Sequence, residues 1–299
     1  MGLVVYGSVL LVDGASSVAR KFGVSEFVIG LTIVGLGTST PELVVSINGA
    51  LAGSSDIALG NIVGSNIFNI LLILGATSLI SPIAVTKQNK TIDIPMMFGV
   101  TLLLCLMVLK GTLNRIDAAI FLMLLVAYLI YNFKTGKTDY TEEKAEKTQG
   151  VFVSSLMIIG GLAGLIFGGK LFVNNAVEIA HAVGASEKFI AITILAVGTS
   201  LPELVTSLVA AIKKKGQLAL GNIIGSNVLN ILLILGASAM ILPLNTAKFN
   251  YVDLGVLLGS AFILFLTPYL SQKQQLGKVS GVVMLLCMAA YMTFLFINL

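Results

Sequence analysis

Residues 31–76 read LTIVGLGTSTPELVVSINGALAGSSDIALGNIVGSNIFNILLILGA, and residues 192–237 read ITILAVGTSLPELVTSLVAAIKKKGQLALGNIIGSNVLNILLILGA. The two stretches align without a gap at a constant offset of 161, with 27 identities in 46 positions. The match extends upstream, where Gly23, Ser25 and Glu26 fall on Gly184, Ser186 and Glu187, and downstream to Pro82 on Pro243. Biased composition does not produce it, because the shared residues include Pro, Glu, Asn and Thr. A duplicated unit organises the chain.

The medium around that unit follows from composition. Of the 299 residues, 57% are hydrophobic and 11% charged, with a mean hydropathy of +1.00; soluble domains carry about 25% charged residues. A packed aqueous core cannot absorb so much apolar surface, so lipid is the solvent for most of the chain. This excludes a cytosolic enzyme, a secreted disulfide scaffold and a nucleic-acid-binding domain. Cys105 and Cys287 lie far apart inside apolar runs and read as packing residues. The net charge of +4 belongs to cytoplasmic loops and not to an anionic partner.

A spanning helix needs about 20 apolar residues. Ten segments qualify: 2–19, 25–51, 56–80, 93–109, 116–133, 151–180, 188–212, 217–242, 250–270 and 279–297. The first lacks a basic leader and a small-residue cleavage site, so it reads as a span and not as a signal peptide. With the sides labelled alternately, thirteen Lys and Arg fall on one side and four on the other. The positive-inside bias then puts both termini outside and the hydrophilic 134–150 segment in the cytoplasm. That segment is too short to fold alone and reads as a linker between a first five-helix repeat, 1–133, and a second, 151–299. Five spans separate each element from its copy, and an odd number reverses its direction through the bilayer. The expected fold is all-α and polytopic, ten transmembrane helices in two inverted-topology repeats. Secondary transporters use this design, with the binding site at the repeat interface near the midplane; a cation channel is the other class it allows.

The repeated residues carry the chemistry. GTSTPE spans Gly37 to Glu42 and GTSLPE spans Gly198 to Glu203, each midway along an apolar span. Pro41 and Pro202 have no N–H for the carbonyls of Gly37 and Gly198 and crowd them, so both helices are expected to break there. Bare carbonyls at membrane depth persist only against a cavity or an ion. Glu42 and Glu203 follow directly. A mid-bilayer carboxylate costs a few kcal/mol unless partnered, and spans 2, 3, 7 and 8 offer no Lys or Arg at that depth. The two acids are therefore either protonated or hold a cation; their pairing beside freed carbonyls and hydroxyls favours the cation. Asn61, Ser65 and Asn69 share one helix face, and Asn222, Ser226 and Asn230 repeat the spacing. Polar packing between helices is the alternative to ligation for this set, and it weighs more for Asn61 and Asn222 near the entry end; the deeper Asn69 and Asn230 are the better ligand candidates. An all-oxygen set suits a hard cation, one Ca²⁺ or several Na⁺. The one histidine, His181, sits at a span end and gives little support to a histidine proton relay. Without a His-Asp or paired-His set to activate Ser or Thr, no enzyme is expected. Gly160, Gly161, Gly164, Gly168 and Gly169 give the sixth span small-xxx-small spacing, for close packing or for a smooth sliding face. Asp13, Lys170 and Glu178 read as helix-end or snorkelling groups.

At these motifs the chain resembles the cation/Ca²⁺ exchanger superfamily, in its sodium/calcium exchanger branch, whose two alpha repeats look like GTSTPE…GNIVGSNIFN and GTSLPE…GNIIGSNVLN. The resemblance implies clustered cation sites. Calcium would be held by Glu42 and Glu203 with backbone oxygens of Thr38 and Thr199. Sodium would be held by Ser39, Ser200, Ser65, Ser226 and the carbonyls of Gly35 and Ala196, with Asn69 and Asn230 as a polar pair. It further implies exchange of about three Na⁺ inward for one Ca²⁺ outward, by sliding of spans 1 and 6. Asn230, where potassium-coupled relatives carry Asp, points away from K⁺ coupling. The proton-coupled branch, with different repeat motifs, matches less well. The implied partners are Ca²⁺, Na⁺ and the bilayer, with no cofactor, no nucleic acid and no obligate protein partner.

Overall fold

The computed structural model describes residues 1–136, 149–182, 196–247, 249–271 and 273–297, with Ala196 and Val197 as backbone only. The start of the seventh expected span, most of the 134–150 linker and Lys248 lie outside the described residues.

The chain is mostly helical. In order come α1 (Gly2–Phe22), α2 (Glu26–Thr38), α3 (Thr40–Leu51), α4 (Ser55–Ile80), α5 (Asn89–Val108), α6 (Arg115–Thr135) and α7 (Val151–Ala182). After them come α8 (Ala196–Thr199), α9 (Leu201–Ile212), α10 (Gly216–Ile241), α11 (Tyr251–Leu270) and α12 (Lys278–Ile297). Among the described residues eight helices are long and apolar enough to cross a membrane, and α2 with α3 forms one further bent candidate. α9 is apolar but only 12 residues long. Helix α5 begins at Asn89, four residues before the sequence expectation. Its polar first turn is tolerated because Asp93 accepts hydrogen bonds from Asn89 Nδ2 at 3.1 Å and Tyr128 Oη at 2.9 Å.

Burial orders the bundle. In its most apolar window α10 is 94% buried and α4 is 72% buried, whereas α12 is 17% buried. The first two are central, and α12 lies at the periphery with much of its apolar surface exposed. One core gathers Ile67, Ile70, Leu74, Phe121, Ile231, Leu235 and Leu264 around α4 and α10. A second, smaller core lies under α1 and α7, with Leu11, Val12, Ala15, Ile158 and Leu165. Gly161 and Gly164 bring α7 against Gly7 of α1 so closely that a Cβ on Gly161 would stand 2.7 Å from the Gly7 carbonyl oxygen. Gly160 and Gly169 meet nothing within 4 Å, so the glycine run serves one contact face.

Elements 161 residues apart behave alike. The helix widens to π-type turns at Asn69–Leu74 and again at Asn230–Leu235. Short strands follow at β1 (Ile83–Ala84), β2 (Thr112–Leu113), β3 (Leu244–Asn245) and β4 (Gln275–Leu276). β1 pairs antiparallel with β4, and β2 with β3, so each pair joins the first part of the chain to the second.

The loops gather at two ends. At one end Ser25 N bonds Gly136 O, Lys215 meets Glu26, Gln217 Nε2 bonds Ala84 O and Val85 N bonds Gln274 O. At the other, Asn245 N bonds Ser55 Oγ, Thr246 N bonds Gly111 O and Arg115 Nε bonds Met240 O. The first end carries Arg20, Lys21, Lys87, Lys90, Lys134, Lys213, Lys214, Lys215, Lys273 and Lys278; the second carries Lys110 and Arg115. Among the described residues, ten of the thirteen basic residues that the count along the sequence assigned to one side therefore share one end of the molecule; Lys137, Lys144, Lys147, Lys188 and Lys248 lie outside the described residues.

Candidate ion-binding site

The site starts from the two prolines. Helix α2 ends at Thr38, Ser39 takes φ −80° and ψ 9°, and α3 resumes at Thr40 with a 51° bend. Ser200 repeats this between α8 and α9, with φ −85° and ψ 5°. Proline suits the first turn of a helix, where its missing N–H is not needed, so the residue that breaks one helix starts the next. The break thus puts Glu42 and Glu203 in first turns, where the free N–H groups and the helix dipole favour a carboxylate.

Both glutamates are buried, at 1% exposure each. Each takes hydroxyls from the opposite bent element. Ser39 Oγ donates to Glu203 Oε1 at 3.1 Å, and Ser200 Oγ donates to Glu42 Oε1 at 3.4 Å. Ser65 Oγ of α4 donates to Glu42 Oε1 as well, at 3.4 Å. Thr38 is buried and its Oγ1 donates to Asn222 Oδ1 and the Gly35 carbonyl, while Thr199 closes α8 one residue before Ser200. The two acids therefore belong to one cluster. Among the described residues no Lys or Arg pairs with either. Oε2 of each has no hydrogen-bond partner.

The asparagines divide into two sets. Asn61 Nδ2 donates to Glu42 O and Ser46 Oγ, and Asn222 Nδ2 to Ser207 Oγ, so both tie a central helix to the bent element beside it. Asn222 Oδ1 also accepts from Thr38 Oγ1 at 3.2 Å. Asn69 and Asn230, each 1% exposed, keep an Oδ1 without a partner. Asn230 Nδ2 instead donates to Asn66 Oδ1 at 2.9 Å, and Asn66 Nδ2 to the Asn227 carbonyl at 3.2 Å. The sequence reading missed Asn66 and Asn227. Their signal was present, since both are identities within the repeat, but they lie one residue past the face that the serines define. The unpartnered Oδ1 of Asn227 adds to the buried oxygens.

The other candidates fall into place around this cluster. Ser226 is buried and its Oγ has no partner, although the equivalent Ser65 reaches Glu42. The Gly35 carbonyl accepts from Ser39 N at 3.0 Å and Thr38 Oγ1 at 3.4 Å. Ala196 heads α8, which ends at Thr199. Among the described residues no group of three or more His, Cys, Asp and Glu could hold a metal. The cluster is thus two carboxylates among neutral oxygens. Buried oxygens without donors need either protons or a cation, and an all-oxygen set around two negative charges suits a hard cation.

Comparison with known proteins points the same way. The profile described as "Sodium/calcium exchanger protein" matches residues 1–134 and 153–297. The putative antiporter CaxA of Alkalimonas amylolytica is 37% identical over 98% of this chain and 95% of its own length. The sodium/calcium exchanger MaX1 of Methanosarcina acetivorans is 33% identical over 99% of this chain and 97% of its own. The sodium-calcium exchanger NCX_Mj, in a structure soaked with Na⁺ and Ca²⁺, superposes with a TM-score of 0.86 at 34% identity. That match covers 97% of this chain and 94% of that one.

Proposed function

The chain belongs to the sodium/calcium exchanger family, and from that premise we propose that it is a membrane antiporter that exchanges Na⁺ for Ca²⁺ at the Glu42–Glu203 cluster. The observation that carries this reading is the pair of buried, unpaired glutamates, each hydrogen-bonded by a serine from the other bent element. Ca²⁺ is held between the two carboxylates, with oxygens of Thr38 and Thr199. Na⁺ ions take Ser39, Ser65, Ser200, Ser226 and the Gly35 and Ala196 carbonyls, while Asn69 and Asn230 complete the neutral oxygens.

Charge explains why the two loads alternate. Two carboxylates are neutralised by one Ca²⁺, whereas about three Na⁺ leave one positive charge over. An empty site would bury two bare carboxylates, which is too costly in a lipid interior for ready passage. Each ion therefore crosses only in exchange for the other. The two halves, 1–133 and 151–299, are read as inverted five-helix repeats of a ten-span fold joined by a cytoplasmic 134–150 segment. Both termini lie outside, and the basic end faces the cytoplasm. Helices α1 and α7, in glycine-mediated contact and resting on a separate small core, slide past the rest to alternate access. Net flux is Ca²⁺ extrusion, and Asn230 makes the exchange independent of K⁺.

Reconstituted in proteoliposomes, the protein is expected to take up ⁴⁵Ca²⁺ only against an outward Na⁺ gradient. Uptake driven by a proton gradient, with no effect of Na⁺, would overturn the reading in favour of Ca²⁺/H⁺ antiport. Downhill flux without exchange would make the protein a channel.

A further inference from the structure

The turn from α5 to α6 has a counterpart, 163 residues on, in the turn from α11 to α12. Lys110, Leu113, Arg115 and Tyr128 fall on Lys273, Leu276, Lys278 and Tyr291. The backbone agrees: Gly111 at φ 85° matches Gln274 at φ 47°, and β2 matches β4. The charges do not agree. In the first turn Asp117 accepts from Asn114 N at 3.0 Å and pairs with Lys110 Nζ at 2.5 Å. In the second, Ser280 stands where Asp117 would. Its hydroxyl accepts from Gly277 N at 3.0 Å, so the backbone role survives without the negative charge. Lys273 and Lys278 are exposed, and among the described residues neither has a carboxylate partner.

Both lysines line a groove of about 680 Å³ between α11 and α12, whose other walls include Leu266, Leu270, Val279 and Val283. Leu270 is 77% exposed and Val279 81%. The groove is an apolar channel with two uncompensated cations at its mouth, at the basic end of a membrane-spanning bundle. We propose that it binds an anionic phospholipid of the adjoining leaflet, with an acyl chain along α11 and α12 and the phosphate at Lys273 and Lys278. Charge complementarity selects this occupant. A zwitterionic lipid brings its own cation to the phosphate, and a bare apolar tail gains nothing from the lysines. The equivalent turn at the opposite end, with Lys110 already neutralised, is not such a site.

The test is native mass spectrometry of the delipidated full chain, titrated with phosphatidylglycerol or with phosphatidylcholine. The wild type is expected to retain one phosphatidylglycerol in preference to phosphatidylcholine. K273Q/K278Q is expected to weaken phosphatidylglycerol about 30-fold, as two surface lysines imply, and to leave phosphatidylcholine unchanged. Ser280→Asp, which restores the charge pattern of the first turn and keeps both lysines, is expected to weaken phosphatidylglycerol several-fold. Equal binding of the two lipids by the wild type would overturn the proposal, as would unchanged phosphatidylglycerol affinity in both variants. So would a dimer that fills the groove with a second copy and admits no lipid.

Discussion

Glu42 and Glu203 share their neighbours, so the loss of either charge alters the whole cluster. Glu42→Gln or Glu203→Gln keeps the volume and removes one negative charge. Either variant is expected to insert and purify normally and to lose Na⁺-driven ⁴⁵Ca²⁺ uptake by at least about 100-fold, since two or three kcal/mol of lost ion binding suffices for that. Uptake within threefold of wild type in either would sink the assignment. Much at this scale was legible in advance. A carboxylate beside a proline, twice, inside apolar spans, has few physical explanations. The repeat marked Asn66 and Asn227 as shared residues but not their roles, because the Asn66 side chain bonds Asn227 O and Asn230 Nδ2 across helices far apart in sequence, and no spacing along one helix encodes such a contact.

At the scale of the element, proline announced the bend, but not the widening of the helix at Asn69–Leu74 and Asn230–Leu235. NILLIL is an ordinary helical run, and only packing against neighbours selects the wider turn. The glycines of α10 were similarly silent. A Cβ on Gly225 would stand 2.5 Å from both Cα and O of Leu31 in α2, so the bent helix and the central one meet backbone to backbone. Backbone cannot swing aside as a side-chain tip can. Gly225→Ala is therefore expected to destabilise the protein by about 1–3 kcal/mol, read as a lower temperature for loss of monodispersity in detergent. Gly255 of α11 meets nothing within 4 Å, so Gly255→Ala is expected to leave that temperature unchanged or raise it. The opposite ranking would show that the α2–α10 contact is looser than described.

For the whole molecule, the hydropathy of the sequence made a mostly helical bundle readable, and the distribution of Lys and Arg made its two ends readable. The loops that alternate counting put together are those that hydrogen bonds hold together at one end. What the sequence could not supply is which parts of the chain interlock, since that depends on how the halves close on each other. The proposed exchange of about three Na⁺ for one Ca²⁺ would move one charge per cycle, which the membrane field would drive at about 2.3 kcal/mol per 100 mV. Shifting the potential by about 60 mV with a valinomycin clamp is thus expected to change the equilibrium Ca²⁺ ratio about tenfold. A ratio indifferent to voltage would mean an electroneutral cycle.

The short strand pairs have a consequence for how the polypeptide holds together. β1 clasps β4 at one end and β2 clasps β3 at the other, while α2 lies against α10 in the interior. Covalent continuity through 137–148 is thus redundant once the chain has assembled. A protease cut introduced there is expected to yield two fragments that co-elute as a single particle and still catalyse exchange, whereas fragments that drift apart would mean that the connecting tether, and not the clasps, keeps the machine whole.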